Sequence, residues 1–125
     1  MPGKQRVLII DDEPDIVETV KIRLTISGYA VIAESDSRQG VALAEKENPD
    51  LILLDISMPG MDGLQVLDKL KNNPQTKHIP VVMLTCSSQG LDIKRSTDLG
   101  AVDYVVKPFD SRVILEKIHK HIHRK

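Results

Sequence analysis

Short apolar runs alternate along this chain with longer stretches whose apolar residues recur every three or four positions. The runs fall at residues 7–10, 29–33, 51–54, 80–84 and 102–106, the last interrupted by Asp103. Each is too short for a buried helix and too continuous to leave one face wet, so each predicts a strand of a parallel sheet covered on both sides. Between them the spacing predicts helices. The first starts at Pro14, where a missing N–H costs nothing, and runs to about Ser27, with Gly28 as a left-handed stop. Its inward face carries Ile16, Val17, Val20 and Leu24, while Ile22 and Ile26 fall off that face. A second helix is capped by Asp36 or Ser37 and ended near Lys46 by Asn48-Pro49. A third follows the turn-rich residues 57–63, buries Leu64, Val66, Leu67 and Leu70, and breaks at Asn72-Asn73-Pro74. A fourth lies between Ser87-Ser88 and Gly100, and the last follows Pro108 with Ile114, Leu115, Ile118 and Ile122 inward. Strict strand–helix alternation predicts one doubly wound α/β domain over residues 1–125, with right-handed crossovers and no linker.

Four of the apolar runs end on residues suited to phosphoryl chemistry. Residues 7–10 run into Asp11-Asp12, residues 51–54 into Asp55, residues 80–84 into Thr85, and residues 102–106 into Lys107-Pro108. Open parallel sheets bind ligands at the carboxyl ends of their strands, so these side chains are expected at one edge. Three clustered carboxylates repel, and a magnesium ion, which prefers oxygen ligands, would relieve the repulsion and neutralise a phosphoryl group. Asp55 ends the most apolar strand and is the candidate nucleophile toward phosphorus. Lys107 supplies a cation and Thr85 a hydroxyl for phosphoryl oxygens, and the backbone carbonyl of Ser57 is a further candidate metal ligand. Taken singly, each residue has a plainer reading: a helix-terminal acid, a turn residue, a strand threonine, a solvated lysine. Four at equivalent strand ends exceed chance.

Composition narrows the function classes. With 17 basic against 18 acidic side chains and a formal net charge of −1, the chain has no overall electrostatic footprint for nucleic acid. The aromatics are Tyr29, Tyr104 and Phe109, too few for base-stacking platforms. A single cysteine, Cys86, excludes an intrachain disulfide and is compatible with a reducing compartment. No run reaches the length of a membrane span, and no long apolar segment follows the first residues.

The segments VLIIDDEPD, PDLILLDISMPGMDGLQVL, IPVVMLT and GAVDYVVKPF, in this order and spacing, resemble the receiver domain of two-component response regulators over residues 6–123. The resemblance implies a flavodoxin-like fold with strand order 2-1-3-4-5. It implies Asp55 as phosphoacceptor, Asp12 as direct ligand of Mg2+, Asp11 as its outer partner, and Thr85 and Lys107 as the phosphoryl-binding pair. It also implies Tyr104 as a rotameric switch coupled to Thr85, and a cis peptide between Lys107 and Pro108. The implied donor is a histidine kinase or a histidine phosphotransfer protein in the cytoplasm. The implied output surface is the face built by the fourth helix, last strand and fifth helix, with no nucleic-acid or membrane contact of the domain's own. Ile22 and Ile26, read as exposed beside the acidic site, are candidates for donor docking. Ser57, Cys86 and Ser87 occupy positions that vary in the family and tune phosphoryl lifetime.

Other readings are weaker. A magnesium-dependent phosphatase with an aspartyl nucleophile commonly carries a second Asp two residues on, where this chain has Ser57. A flavin or dinucleotide binder lacks its glycine signature. A binding module without phosphate chemistry would have no need of the intact acid, hydroxyl and lysine set. His119, His121 and His123 read as a solvated helix end, with Lys117, Lys120, Arg124 and Lys125 beside them, and Cys86 as a packing residue.

Overall fold

A computed structural model describes residues 3–86 and 90–122. In chain order the elements are β1 (Arg6–Ile10), α1 (Pro14–Ile26), β2 (Ala30–Glu34), α2 (Ser37–Glu47), β3 (Leu51–Asp55), α3 (Gly63–Lys71), β4 (Val81–Thr85), α4 (Gly90–Asp98), β5 (Asp103–Val106) and α5 (Ser111–His121). The strands form one parallel sheet in the order β2-β1-β3-β4-β5. Ser87 and His123 lie outside the described residues.

Alternation along the strands divides the core into two layers. Leu8, Ile10, Ile52, Leu54 and Met83 face Ala44 of α2 and Val66, Leu67 and Leu70 of α3. Val7, Ile9, Leu51, Leu53, Val82 and Leu84 face Val20 and Leu24 of α1 and Ile114 and Ile118 of α5. Leu64 and Leu115, read as inward, are only partly buried and pack at the margins of these layers. Gly40 lets α2 approach β1: a Cβ there would stand 2.8 Å from the Ile10 side chain.

Three strands start one residue later than the apolar pattern predicts, β4 at Val81 after Pro80 and the other two for a shared reason. At the end of α1, Gly28 N–H donates to Thr25 O and Tyr29 N–H to Leu24 O, so Tyr29 closes the helix and β2 begins at Ala30. At the end of α4, Gly100 N–H donates to Thr97 O and Ala101 N–H to Ser96 O, and β5 begins at Asp103. Gly28 and Gly100 both have positive φ, at 96° and 109°. Asp36 caps α2 by accepting from Arg38 and Gln39 N–H.

Helix direction corrects the placement of Ile22 and Ile26. Both are exposed, at 51% and 75%, as the helical spacing requires. Yet α1 leaves the acidic edge at Pro14 and runs back along the sheet. At about 1.5 Å per residue, Ile22 and Ile26 lie roughly 12 and 18 Å along the axis from its start. They extend away from the acidic site.

Candidate functional site

The strand order puts its topological switch point between β1 and β3, whose chains leave in opposite lateral directions. Asp11 and Asp12 follow the end of β1, and Asp55 ends β3. One carboxylate oxygen from each lies within 4.8 Å of the others. Asp55 pairs in register with Leu84, so Thr85 stands one position further along β4, buried at 2% exposure. The Lys107 N–H donates to the Thr85 carbonyl at 2.7 Å, which seats the lysine at the same edge. The Lys107–Pro108 peptide is cis.

Hydrogen bonding distinguishes the three acids. Asp11 is fully buried; its Oδ1 accepts from Glu13 N–H at 2.9 Å and its Oδ2 from Lys107 Nζ at 2.8 Å. Asp12 is half-buried and lines an open cleft of about 320 Å³ with Pro14, Val17 and Glu34. Asp55 is 1% exposed, and its Oδ1 accepts from Ser57 N–H at 3.2 Å. Its Oδ2 is buried with no hydrogen-bond partner among the described residues. An unsatisfied buried carboxylate oxygen is costly, and here it sits beside two further acids. That is the donor set of a hard cation, so the residues present fit a divalent metal.

Charge among the protein groups around Asp55 is unbalanced. Burial pushes its carboxyl up and the Asp11 charge adds to this; Lys107 and the Ser57 N–H offset only part, leaving it at about 6. Burial alone would lower the Lys107 ammonium, but hydrogen bonds to Asp11 and Glu13 hold it well above the usual lysine range. The turn after Asp55 is tightly packed. Gly63 N–H donates to Ile56 O at 2.7 Å, and a Cβ at Gly63 would overlap the Asp55 carbonyl oxygen. Asp62 and Gln65 then cap α3 reciprocally.

Sequence reasoning missed two groups. Glu13 binds Lys107 Nζ at 2.7 Å; the only hint was its place after Asp11-Asp12. Lys117 and His121, read as solvated, instead both reach Asp103 at the start of β5, at 3.0 and 2.8 Å. Burial would raise Asp103, but hydrogen bonds from His121, the Tyr104 N–H and Lys117 lower it. This clamp joins β5 to α5 next to Tyr104, which is 38% exposed. Cys86 is exposed rather than packed.

An acid triad with a buried ammonium, set at the switch point of a 2-1-3-4-5 sheet, defines a cation- and phosphate-handling α/β protein of the flavodoxin-like kind. Residues 7–119 match the response regulator receiver domain family. The chain is 42% identical over 119 residues to the DNA-binding dual master transcriptional regulator RpaA of Synechocystis sp., covering 95% of this chain and 49% of that protein. It is 38% identical over 113 residues to the response regulator PleD of Caulobacter vibrioides, covering 90% of this chain and 25% of PleD. Among solved structures, chemotaxis protein CheY4 of Vibrio cholerae superposes with a TM-score of 0.91 at 29% identity, over 96% of this chain and all of CheY4. The receiver domain of sensor histidine kinase PA1611 of Pseudomonas aeruginosa, solved with a magnesium ion coordinated in its active-site cleft, gives a TM-score of 0.87 at 25% identity, over 95% and 98% of the two chains. The chain belongs to the response regulator receiver domain family, the Asp-phosphorylated signalling switches of two-component systems. It spans about half the length of RpaA and a quarter of PleD. Among the described residues no helix is long and apolar enough to cross a membrane.

Proposed function

We propose that Asp55 is the phosphoacceptor, and that a phosphohistidine on a histidine kinase or histidine phosphotransfer protein is the donor. The observation that carries this reading is the buried Oδ2 of Asp55, without a hydrogen-bond partner among the described residues, beside Asp11, Asp12 and the Lys107 ammonium. Asp12, Asp55 and the Ser57 carbonyl would hold Mg2+, with Asp11 as an outer partner, since its own oxygens are already taken by Glu13 N–H and Lys107. When bound, the ion would neutralise charge on the phosphoryl group and on the acids.

The chain's own residues supply nucleophile, orientation and charge. An Asp55 carboxylate oxygen forms the bond to phosphorus as the phosphorus–nitrogen bond of the donor breaks and imidazole leaves. Lys107 contributes a cation and Thr85 a hydroxyl to the phosphoryl oxygens. Burial of Asp55 excludes competing water and strengthens both contacts. Thr85, drawn toward the phosphoryl group, would vacate space for Tyr104, and the α4–β5–α5 face would change its partner preference by population shift. The output partner is a protein that reads this face. For the donor, the exposed side of α1 carries Asp15, Thr19, Ile22 and Ile26 at helical spacing. At its upper end a cleft of about 220 Å³ lies between Asp15, Ile16, Thr19, Pro108 and Phe109. A helical phosphodonor could lie along this stripe with its histidine at the acidic edge. Incubation with acetyl phosphate and magnesium should add the mass of one phosphoryl group, released by hydroxylamine, and Asp55→Asn should abolish it. Modification of the variant at the parental rate would refute Asp55 as acceptor.

A further inference from the structure

Glu13 stands at the N-cap of α1, yet its side chain makes no cap hydrogen bond. Its carboxylate instead reaches across the site to Lys107, at 2.7 Å. An ammonium has three N–H donors. In this structure two are committed to short bonds, with Asp11 at 2.8 Å and with Glu13, and Asp55 Oδ1 stands further off, at 3.5 Å. The third N–H is left for Asp55, and a phosphoryl group there that draws the ammonium closer does so against the pull of its two present partners. The two are not equivalent. The Asp11 side chain is fully buried, so breaking that pair would leave an unpaired charge out of reach of water, a strongly unfavourable outcome. The Glu13 side chain is 50% exposed, so water can replace the lysine at small cost.

We infer that Glu13 is a positioning residue for Lys107, restraining the ammonium in the resting receiver and yielding it when an anion occupies Asp55. The inference rests on Asp55 being the acceptor. Glu13 thereby weakens the hold of Lys107 on the phosphoryl group and sets the affinity of the activated state. Removing its charge leaves the anion to compete with Asp11 alone for the ammonium.

The test uses the full chain with magnesium and beryllofluoride, an anion that mimics an aspartyl phosphoryl group. Affinity is measured by titration, and the bound fluorines are resolved by 19F NMR. Glu13→Gln should tighten binding about fivefold, the scale of a charge-assisted hydrogen bond partly transferred to the anion. It should also shift one bound fluorine resonance, the one nearest the ammonium. Glu13→Ala should act in the same direction. Glu34→Gln is the control for charge alone: Glu34 lines the same edge but accepts from Ser35 and Asp36 N–H rather than Lys107. It should change affinity by less than half as much and leave the fluorine shifts unmoved. Equal effects of the Glu13 and Glu34 variants, or none from either Glu13 variant, would overturn the role of Glu13 while leaving Asp55 as acceptor. No binding by the parent, or undiminished binding by Asp55→Asn, would overturn the acceptor reading and this inference with it.

Discussion

Replacing Asp55 by Asn should stabilise the metal-free protein, and by an amount that depends on pH. Burial and the charge of Asp11 hold the Asp55 carboxyl at about 6 in the folded chain, against an ordinary value of 3.8. Between those values the folded state binds more protons than the unfolded state. Stability is therefore fully present below the unfolded pKa and is lost as pH rises through about 6. A gap of about two in pKa corresponds to about 3 kcal/mol as a ceiling. Solvent at the mouth of the cleft screens part of this, so about 1–2 kcal/mol is expected. Asparagine keeps the shape and an oxygen for the Ser57 N–H, and carries no charge at any pH. In chelator, urea unfolding near pH 7.5 should place Asp55→Asn above the parent by about that amount, and the advantage should shrink to a few tenths of a kcal/mol near pH 4.5. Adding magnesium should narrow the gap at the higher pH, because the parent gains binding energy that the variant largely lacks. A variant less stable than the parent near pH 7.5 would mean that attraction to Lys107 outweighs burial and repulsion. A difference independent of pH would mean that its origin is not the charge of Asp55.

Three further outcomes are expected. Asp12→Ala should weaken magnesium binding at least about tenfold by isothermal titration, since loss of even an outer-shell partner costs about that much; an unchanged titration would remove Asp12 from the ligand set. Gly63→Ala should destabilise the fold by about 1–3 kcal/mol and lower magnesium affinity as well, because the new Cβ overlaps the Asp55 carbonyl and must displace the turn carrying Ser57; a stable variant with parental affinity would show that the turn adapts without moving the site. Ile22→Asp should slow transfer from a phosphohistidine protein about tenfold, through lost apolar burial, yet leave acetyl phosphate reactivity intact; equal slowing with both donors would mean damage to the site rather than to docking.

The strand-end positions of Asp11, Asp12, Asp55, Thr85 and Lys107 were legible without coordinates. Periodicity located the strands to within about one residue, and parallel topology requires their carboxyl ends to share an edge. The inward faces of α1, α3 and α5 followed from spacing alone, because burial is enforced by the hydrophobic effect at every turn. Composition excluded disulfides, and the motif order carried the family. The errors came where chain direction or long-range pairing decides. Ile22 and Ile26 are exposed as their spacing required, but how far they lie from the acids depends on α1 running back along the sheet. The late starts of β2 and β5 arise from backbone hydrogen bonds that close the preceding helices, a competition that apolar pattern does not register. Lys107 lies 94 residues from Glu13, and Asp103 lies 18 from His121. Glu13, Asp103 and His121 were read as solvated or left unassigned because a charge's partner is set by which elements meet, not by its neighbours in sequence. The state of Asp55 is likewise a tertiary property. A carboxylate at the end of an apolar run is visible in the sequence, but its raised affinity for protons comes from burial beside Asp11, which only the assembled sheet brings about.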